Sequence, residues 1–323
     1  MKTLFDSTNI GKMVLKNRFV RSAISENTKN GEINQNILDL YKKLSLGGVG
    51  TMITGFTLVD EFEKTYSAMA FYNDSFVDNH KKLTAMIHEN NASIILQLAY
   101  CGSYVMGDMP EEDVLAPSVV KNLNTNIIPK EITLNEIKNI QKKFAEAAFR
   151  AKNAGYDGVE IHAAHGFFLS QFMTPYYNHR NDLYGGSVLN RSRIILETYE
   201  AIRELTGNDF SVWIKINVSD GIMDGVTFDD VLYLCNELSI RKIDAVEISG
   251  NWQNLKNQSV YFKNEAEIIA SKNETAVVLT GGNKSFEEMT EILNTTKISY
   301  FGMARELSKE PNLINKYKEK YIK

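Results

Sequence analysis

Short apolar runs alternate with amphipathic stretches along the whole chain. The runs Phe19–Ile24, Val49–Gly55, Ser93–Ala99, Gly158–His162, Val212–Asn217, Ala245–Ser249, Ala276–Thr280 and Ile298–Gly302 are short and nearly continuous in apolar character. That is the pattern of strands buried on both faces. Between them, Asn36–Leu46, Phe76–Glu89, Leu134–Asn153, Asn190–Leu205, Phe228–Leu238 and Phe286–Leu293 repeat apolar residues at helical spacing. The alternation predicts parallel strands joined by crossover helices. Eight such strands predict an α/β fold of the (β/α)8 TIM-barrel class. A doubly wound sheet is the competitor, but no Gly-x-Gly-x-x-Gly follows the first strand. Leu4–Lys16, turning at Ile10-Gly11-Lys12, predicts an N-terminal β-hairpin that plugs the barrel bottom. No Gly/Ser-rich or Pro-rich linker divides the chain, so residues 1–323 are expected to form a single domain.

Composition narrows the partners. The net charge of −4 argues against a nucleic-acid surface, which needs clustered cations. No run approaches the ~20 apolar residues of a membrane span, and the opening Met-Lys-Thr-Leu-Phe-Asp turns polar too soon for a secretory leader. The expectation is a cytoplasmic enzyme acting on small molecules, with no nucleic-acid or membrane partner; a homo-oligomer is left open. Cys101 and Cys235 are the two cysteines, too few for a four-thiolate metal site.

Barrel enzymes build their sites from the C-terminal ends of the strands. Here strand three ends Gln97-Leu-Ala-Tyr100 and strand four Glu160-Ile-His162-Ala-Ala-His165-Gly166. Strand five carries Lys215, and strand six ends Glu247-Ile-Ser249-Gly250. Strand seven ends Thr280-Gly281-Gly282, and strand eight runs into Gly302-Met-Ala304-Arg305. The glycines let backbone N–H groups approach an anion at a helix start, and Arg305 adds a fork suited to phosphate. Lys215 lies in the apolar run Val212–Asn217 and needs an anion. A flavin would supply one on reduction; Glu160 or Glu247 would do so structurally. His162 and His165 suit a grip on a carbonyl, nitro or phenolate oxygen. Metal ligation with His179 is the alternative, although no HExxH spacing is present.

The segment Val159-Glu-Ile-His-Ala-Ala-His-Gly-Phe-Phe-Leu-Ser-Gln-Phe-Met-Thr-Pro175 resembles the old yellow enzyme family of NAD(P)H:flavin oxidoreductases. Asn178–Ser187 and Asn190–Arg193 extend the match, and Lys16–Phe19, Gln97–Ala99, Thr280–Gly282 and Gly302–Arg305 follow in family order. The resemblance implies tightly bound, non-covalent FMN, with NADH or NADPH as co-substrate. It implies that Ser22, Ala23 and Ile24 lie against the flavin, with Gly55 beneath it. Gln97 would bind its pyrimidine part and Lys215 would stand near N1, with Ser249 close by at the strand-six end. Gly281, Gly282, Ala304 and Arg305 would hold the phosphate. His162 and His165 would be catalytic, binding the substrate oxygen, with Tyr100 and Phe167 lining the substrate side. The implied cycle is ping-pong hydride transfer from NAD(P)H through FMN to enones, quinones or nitro compounds.

Phe167 stands where the resemblance implies a proton-donating Tyr, Tyr100 where a His is common, and Ser103 where an Arg is common. Loss of a general acid is worth ~10²–10⁴ in rate, which favours quinones and nitro compounds over alkenes. The longer 2,4-dienoyl-CoA reductase branch carries an iron–sulfur segment; this sequence has no such cysteines, so direct reduction by a nicotinamide is expected. Two other readings stay open: a metal-assisted hydrolase or lyase, and a catalytically weakened flavin-binding protein. The pocket walls are expected from the loops Tyr100–Lys130 and Asn251–Tyr261.

Overall fold

The computed structural model describes residues 1–63, 67–105, 109–250, 255 and 258–321; parts of both expected wall loops, at 106–108, 251–254 and 256–257, lie outside these. Eight parallel strands close a barrel: β1 (Phe19–Arg21), β2 (Thr51–Ile53), β3 (Ser93–Ala99), β4 (Gly158–Ala163), β5 (Ser211–Asn217), β6 (Ala245–Ser249), β7 (Ala276–Thr280) and β8 (Tyr300–Met303). Each pairs with the next, β4 pairs back to β3, and β8 closes on β1 through Phe301↔Phe19. The six expected helices form, among them Leu134–Asn153, whose start is fixed by a reciprocal Thr133–Glu136 capping box.

β2 stops sooner than its apolar run, where a side chain takes its last carbonyl. Arg21 is buried and donates from Nη1 to Ile53 O at 2.7 Å and to Tyr41 Oη at 2.9 Å, and from Nη2 to Glu26 at 2.7 Å. Thr54 N–H still donates to Ile95 O at 2.9 Å, while the Ile53 carbonyl is taken by Arg21. The apolar periodicity did not reveal Phe168–Met173, whose residues are all buried and so lack an amphipathic face. Lys263–Lys272 buries only Ala266 and Ile269, too few to set a stripe.

The barrel interior is layered by the two-residue period of its strands. The hairpin Thr8–Ile10/Met13–Leu15 forms as expected and inserts Ile10, Met13 and Leu15 against Val20, Ile95, Trp213, Ala245 and Val278. Two residues further along each strand the side chains turn polar: Ser22, Gln97, Lys215, Glu247 and Thr280, joined by Glu160 from β4. Two further on lie His162, Asn217, Ser249 and Gly282. An apolar floor, a charged middle and a small polar roof therefore follow directly from strand parity.

Candidate active site

The C-terminal mouth holds two cavities that share Ala23, His165, Lys215 and Gly250. The larger, about 480 Å³, is walled by Gln97, His162, Phe167, Tyr104, Tyr177 and Asp220, among others. The smaller, about 190 Å³, runs past Ser22 and Ser249 to Gly281, Gly282, Ala304 and Arg305. The expected flavin and phosphate residues are thus brought onto one continuous surface, with exceptions. Ile24 and Gly55 line neither cavity; the Gly55 N–H is held by Glu26 at 2.7 Å. Tyr100 is a correction: it is buried with its ring 4.9 Å from Phe168, outside the cavity wall. On β3 Gln97 and Ala99 share the interior parity, which sends Tyr100 outward to the helices. Gly281-Gly282 does not open a helix either, since the next one starts at Phe286 behind the Ser285 cap.

Lys215 is paired by protein. Its ammonium lies 3.1 Å from Glu247 Oε1 and 3.0 Å from Ser22 Oγ, fully enclosed in the middle layer. Glu247 Oε1 also accepts from Thr280 at 2.7 Å and from Ser22. Gln97 donates to Glu160 Oε2 at 2.6 Å. Of the two carboxylates weighed as the Lys215 counterion, Glu247 is the partner, while Glu160 orients Gln97.

Burial holds both histidines neutral near pH 7. Burial, with the neighbouring His165 and Lys215 charges, keeps the His162 imidazolium well below its usual range. Burial and then Lys215 bring His165 down to about 3. The Ala164 N–H donates to His162 Nδ1 at 3.4 Å. His165 adopts φ +57°, a conformation fixed by its N–H to Asn217 Oδ1 at 3.2 Å; its Nε2 meets Ser249 Oγ at 2.8 Å. The two rings stand 5.4 Å apart at 81°, and Phe167 packs 4.2 Å from His162. Tyr104, on a 3-10 turn within the expected wall loop Tyr100–Lys130, and Asp220, just past β5, also line the cavity, although neither was singled out by periodicity.

FMN fits the residues present. A slot narrowed by Ala23 and Gly250 leads to a small chamber with a guanidinium and two glycines at φ +117° and +76°. A side chain at Gly282 would run into the Val260 backbone and the Tyr261 ring. Tyr261 also lines that chamber, and its buried hydroxyl has no partner among the described residues.

Residues 3–323 match the profile of the NADH:flavin oxidoreductase / NADH oxidase family. An NADH-dependent flavin oxidoreductase of Aspergillus parasiticus is 32% identical over 92% of this chain and 74% of its own. A metal reductase of Desulforamulus reducens is 29% identical over 98% of this chain but only 48% of its own, so the chain spans about half the length of that relative. The old yellow enzyme homologue of Zymomonas mobilis superposes with a TM-score of 0.86 at 21% identity, covering 99% of this chain and 93% of the other. With the profile spanning nearly every residue and a barrel fold shared with the old yellow enzyme homologue, the chain belongs to the NADH:flavin oxidoreductase / NADH oxidase family.

Proposed function

We propose that residues 1–323 act as one FMN-binding unit that passes hydride equivalents from NADH or NADPH to small electron-poor acceptors. The observation that carries this reading is the neutral His162 on the wall of a cavity that shares Ala23, His165, Lys215 and Gly250 with the glycine and Arg305 chamber. Bound FMN supplies reversible two-electron chemistry. Gly281, Gly282, Ala304 and Arg305 hold its phosphate, and Ser22, Ala23, Gln97, Lys215 and Ser249 line the remainder. His162, with His165 beside it, binds the acceptor oxygen by hydrogen bonding; because both are neutral they polarise it without first surrendering a full charge. His165 is turned toward the site by Asn217 and Ser249.

Phe167 shapes the choice of acceptor. Its ring lies 4.2 Å from His162 and 5.2 Å from Phe56 and Tyr104, and a phenyl ring at this position has no proton to give. Quinones and nitro compounds, which are protonated on heteroatoms that water can reach, suit this wall better than alkenes. The metal alternative has no donor set: among the described residues no three His, Cys, Asp or Glu side chains converge.

The test is a visible spectrum of the purified protein, recorded anaerobically before and after NADH or NADPH. A flavin spectrum that bleaches, then returns on adding a quinone, is expected. Protein that neither carries nor takes up FMN overturns the reading.

A further inference from the structure

Glu160 and Glu247 lie at the centre of the barrel with no solvent exposure. Each has one oxygen in use. Glu160 Oε2 accepts from Gln97, and Glu247 Oε1 accepts from Lys215, Ser22 and Thr280. The other two oxygens, Glu160 Oε1 and Glu247 Oε2, have no donor among the described residues, yet the two carboxyls are within hydrogen-bonding reach of each other. A buried carboxylate oxygen without a donor keeps its desolvation penalty uncompensated. With both groups ionised, two anions would also face one ammonium in a medium that penalises net charge heavily.

We propose that Glu160 and Glu247 share one buried proton, carried by Glu160, and that the pair is a positioning element that holds Gln97 and Lys215 at the cofactor cavity. A single O–H from Glu160 Oε1 to Glu247 Oε2 satisfies both orphaned oxygens. It leaves Glu160 Oε2 as a carbonyl that accepts the Gln97 N–H, which fixes the amide's orientation where it meets the cavity. The proton belongs on Glu160 because Glu247 already receives an ammonium and two hydroxyls, whereas Glu160 receives one amide. Burial and the Glu247 charge accordingly hold the Glu160 carboxyl well above the usual range, and Lys215 holds Glu247 below it. The other titratable groups facing the layer are His162 and His165, both neutral. The layer therefore sums to zero: one ammonium, one carboxylate, one carboxylic acid.

Infrared spectra at pH 7 test the proton directly. The wild type is expected to show protonated-carboxyl C=O absorption, and the band that survives in Glu63→Gln is expected to vanish when Glu160→Gln is added to it. Glu63→Gln is the control because Glu63 is the other carboxyl raised by burial, to about 8. Absence of the band, or its loss in Glu63→Gln alone, overturns the proposal. Should Glu160→Gln fail to fold, the Glu63→Gln spectrum decides by itself: a remaining band supports the shared proton and none refutes it. The second arm rests on the proposed FMN chemistry. The flavin midpoint potential is expected to rise in Glu247→Gln, where Lys215 loses its counterion, and to stay put in Glu160→Gln, where an amide N–H replaces the O–H. Equal shifts in both variants would remove the asymmetry on which the assignment stands. Protein without FMN sinks the functional reading and leaves the infrared result to judge the proton.

Discussion

Phe167 is the residue whose substitution says most about the acceptor. Its ring fills the space beside His162 that a hydroxyl could occupy. In Phe167→Tyr we expect alkene reoxidation of the reduced flavin to accelerate by roughly ten- to a thousandfold, on the scale of general-acid assistance. Flavin reduction by NAD(P)H should stay nearly unchanged. Stopped-flow traces of the two half-reactions separate these, and an unchanged alkene rate would show that another group already delivers the proton. Tyr100 shows how the same scale can mislead. Its place after Gln97-Leu-Ala suggested the cavity, but counting parity from Gln97 turns it outward, against Phe168. The information was in the sequence, in the alternation rather than in the residue type.

At the scale of elements, the strands were legible because burial on both faces leaves continuous apolar runs, and their polar ends marked the mouth. Their exact ends were not legible, since Arg21 takes the Ile53 carbonyl through a contact 32 positions away. The middle layer was half legible. Lys215 advertised its need for an anion, yet nothing local says that Glu247 meets it while Glu160 turns to Gln97. Gly302 couples two of these strands. A methyl group there would drive into Thr280 Oγ1, which is itself bonded to Glu247. Gly302→Ala should therefore destabilise the protein by about 1–3 kcal/mol, the usual range for overpacking. It should also weaken FMN retention, because the strain falls between the middle layer and the phosphate chamber. Guanidinium unfolding together with the flavin-to-protein absorbance ratio reads both, and a variant indistinguishable from wild type in the two would show that β7 and β8 can part at no cost.

For the whole molecule, buried titratable groups set the pH range of stability. His80 is enclosed, stacked 4.0 Å from Phe71, and pushed by burial down to about 3, as is His165. Between about pH 6.5 and 3 the unfolded chain binds protons that these folded histidines refuse, so their contribution is present above the upper value and is lost as pH falls through the window. Glu63 works the other way. Its carboxyl, raised to about 8 by burial, adds stability below 4.5 that is lost as pH rises through 8. With the opposing Glu63 removed in Glu63→Gln, the guanidinium midpoint should decline on acidification from neutrality toward pH 4; a flat profile in that variant would mean the histidines are not held neutral.

The plug at the barrel floor also bears on when this protein can exist at all. Tyr300 reaches back to Asn9 O at 2.8 Å across 291 positions, and the Phe301 N–H to Arg18 O at 3.0 Å. A chain emerging from the ribosome makes this hairpin before the strands that receive it, and the last of them, β8, places Tyr300 291 positions after Asn9. The phosphate chamber, which needs Gly302 to Arg305, is complete no sooner. Barrel closure and a full set of phosphate contacts thus become available at nearly the same moment of synthesis. Until then the apolar face of the hairpin waits exposed, the interval in which a nascent chain most needs a chaperone's cover.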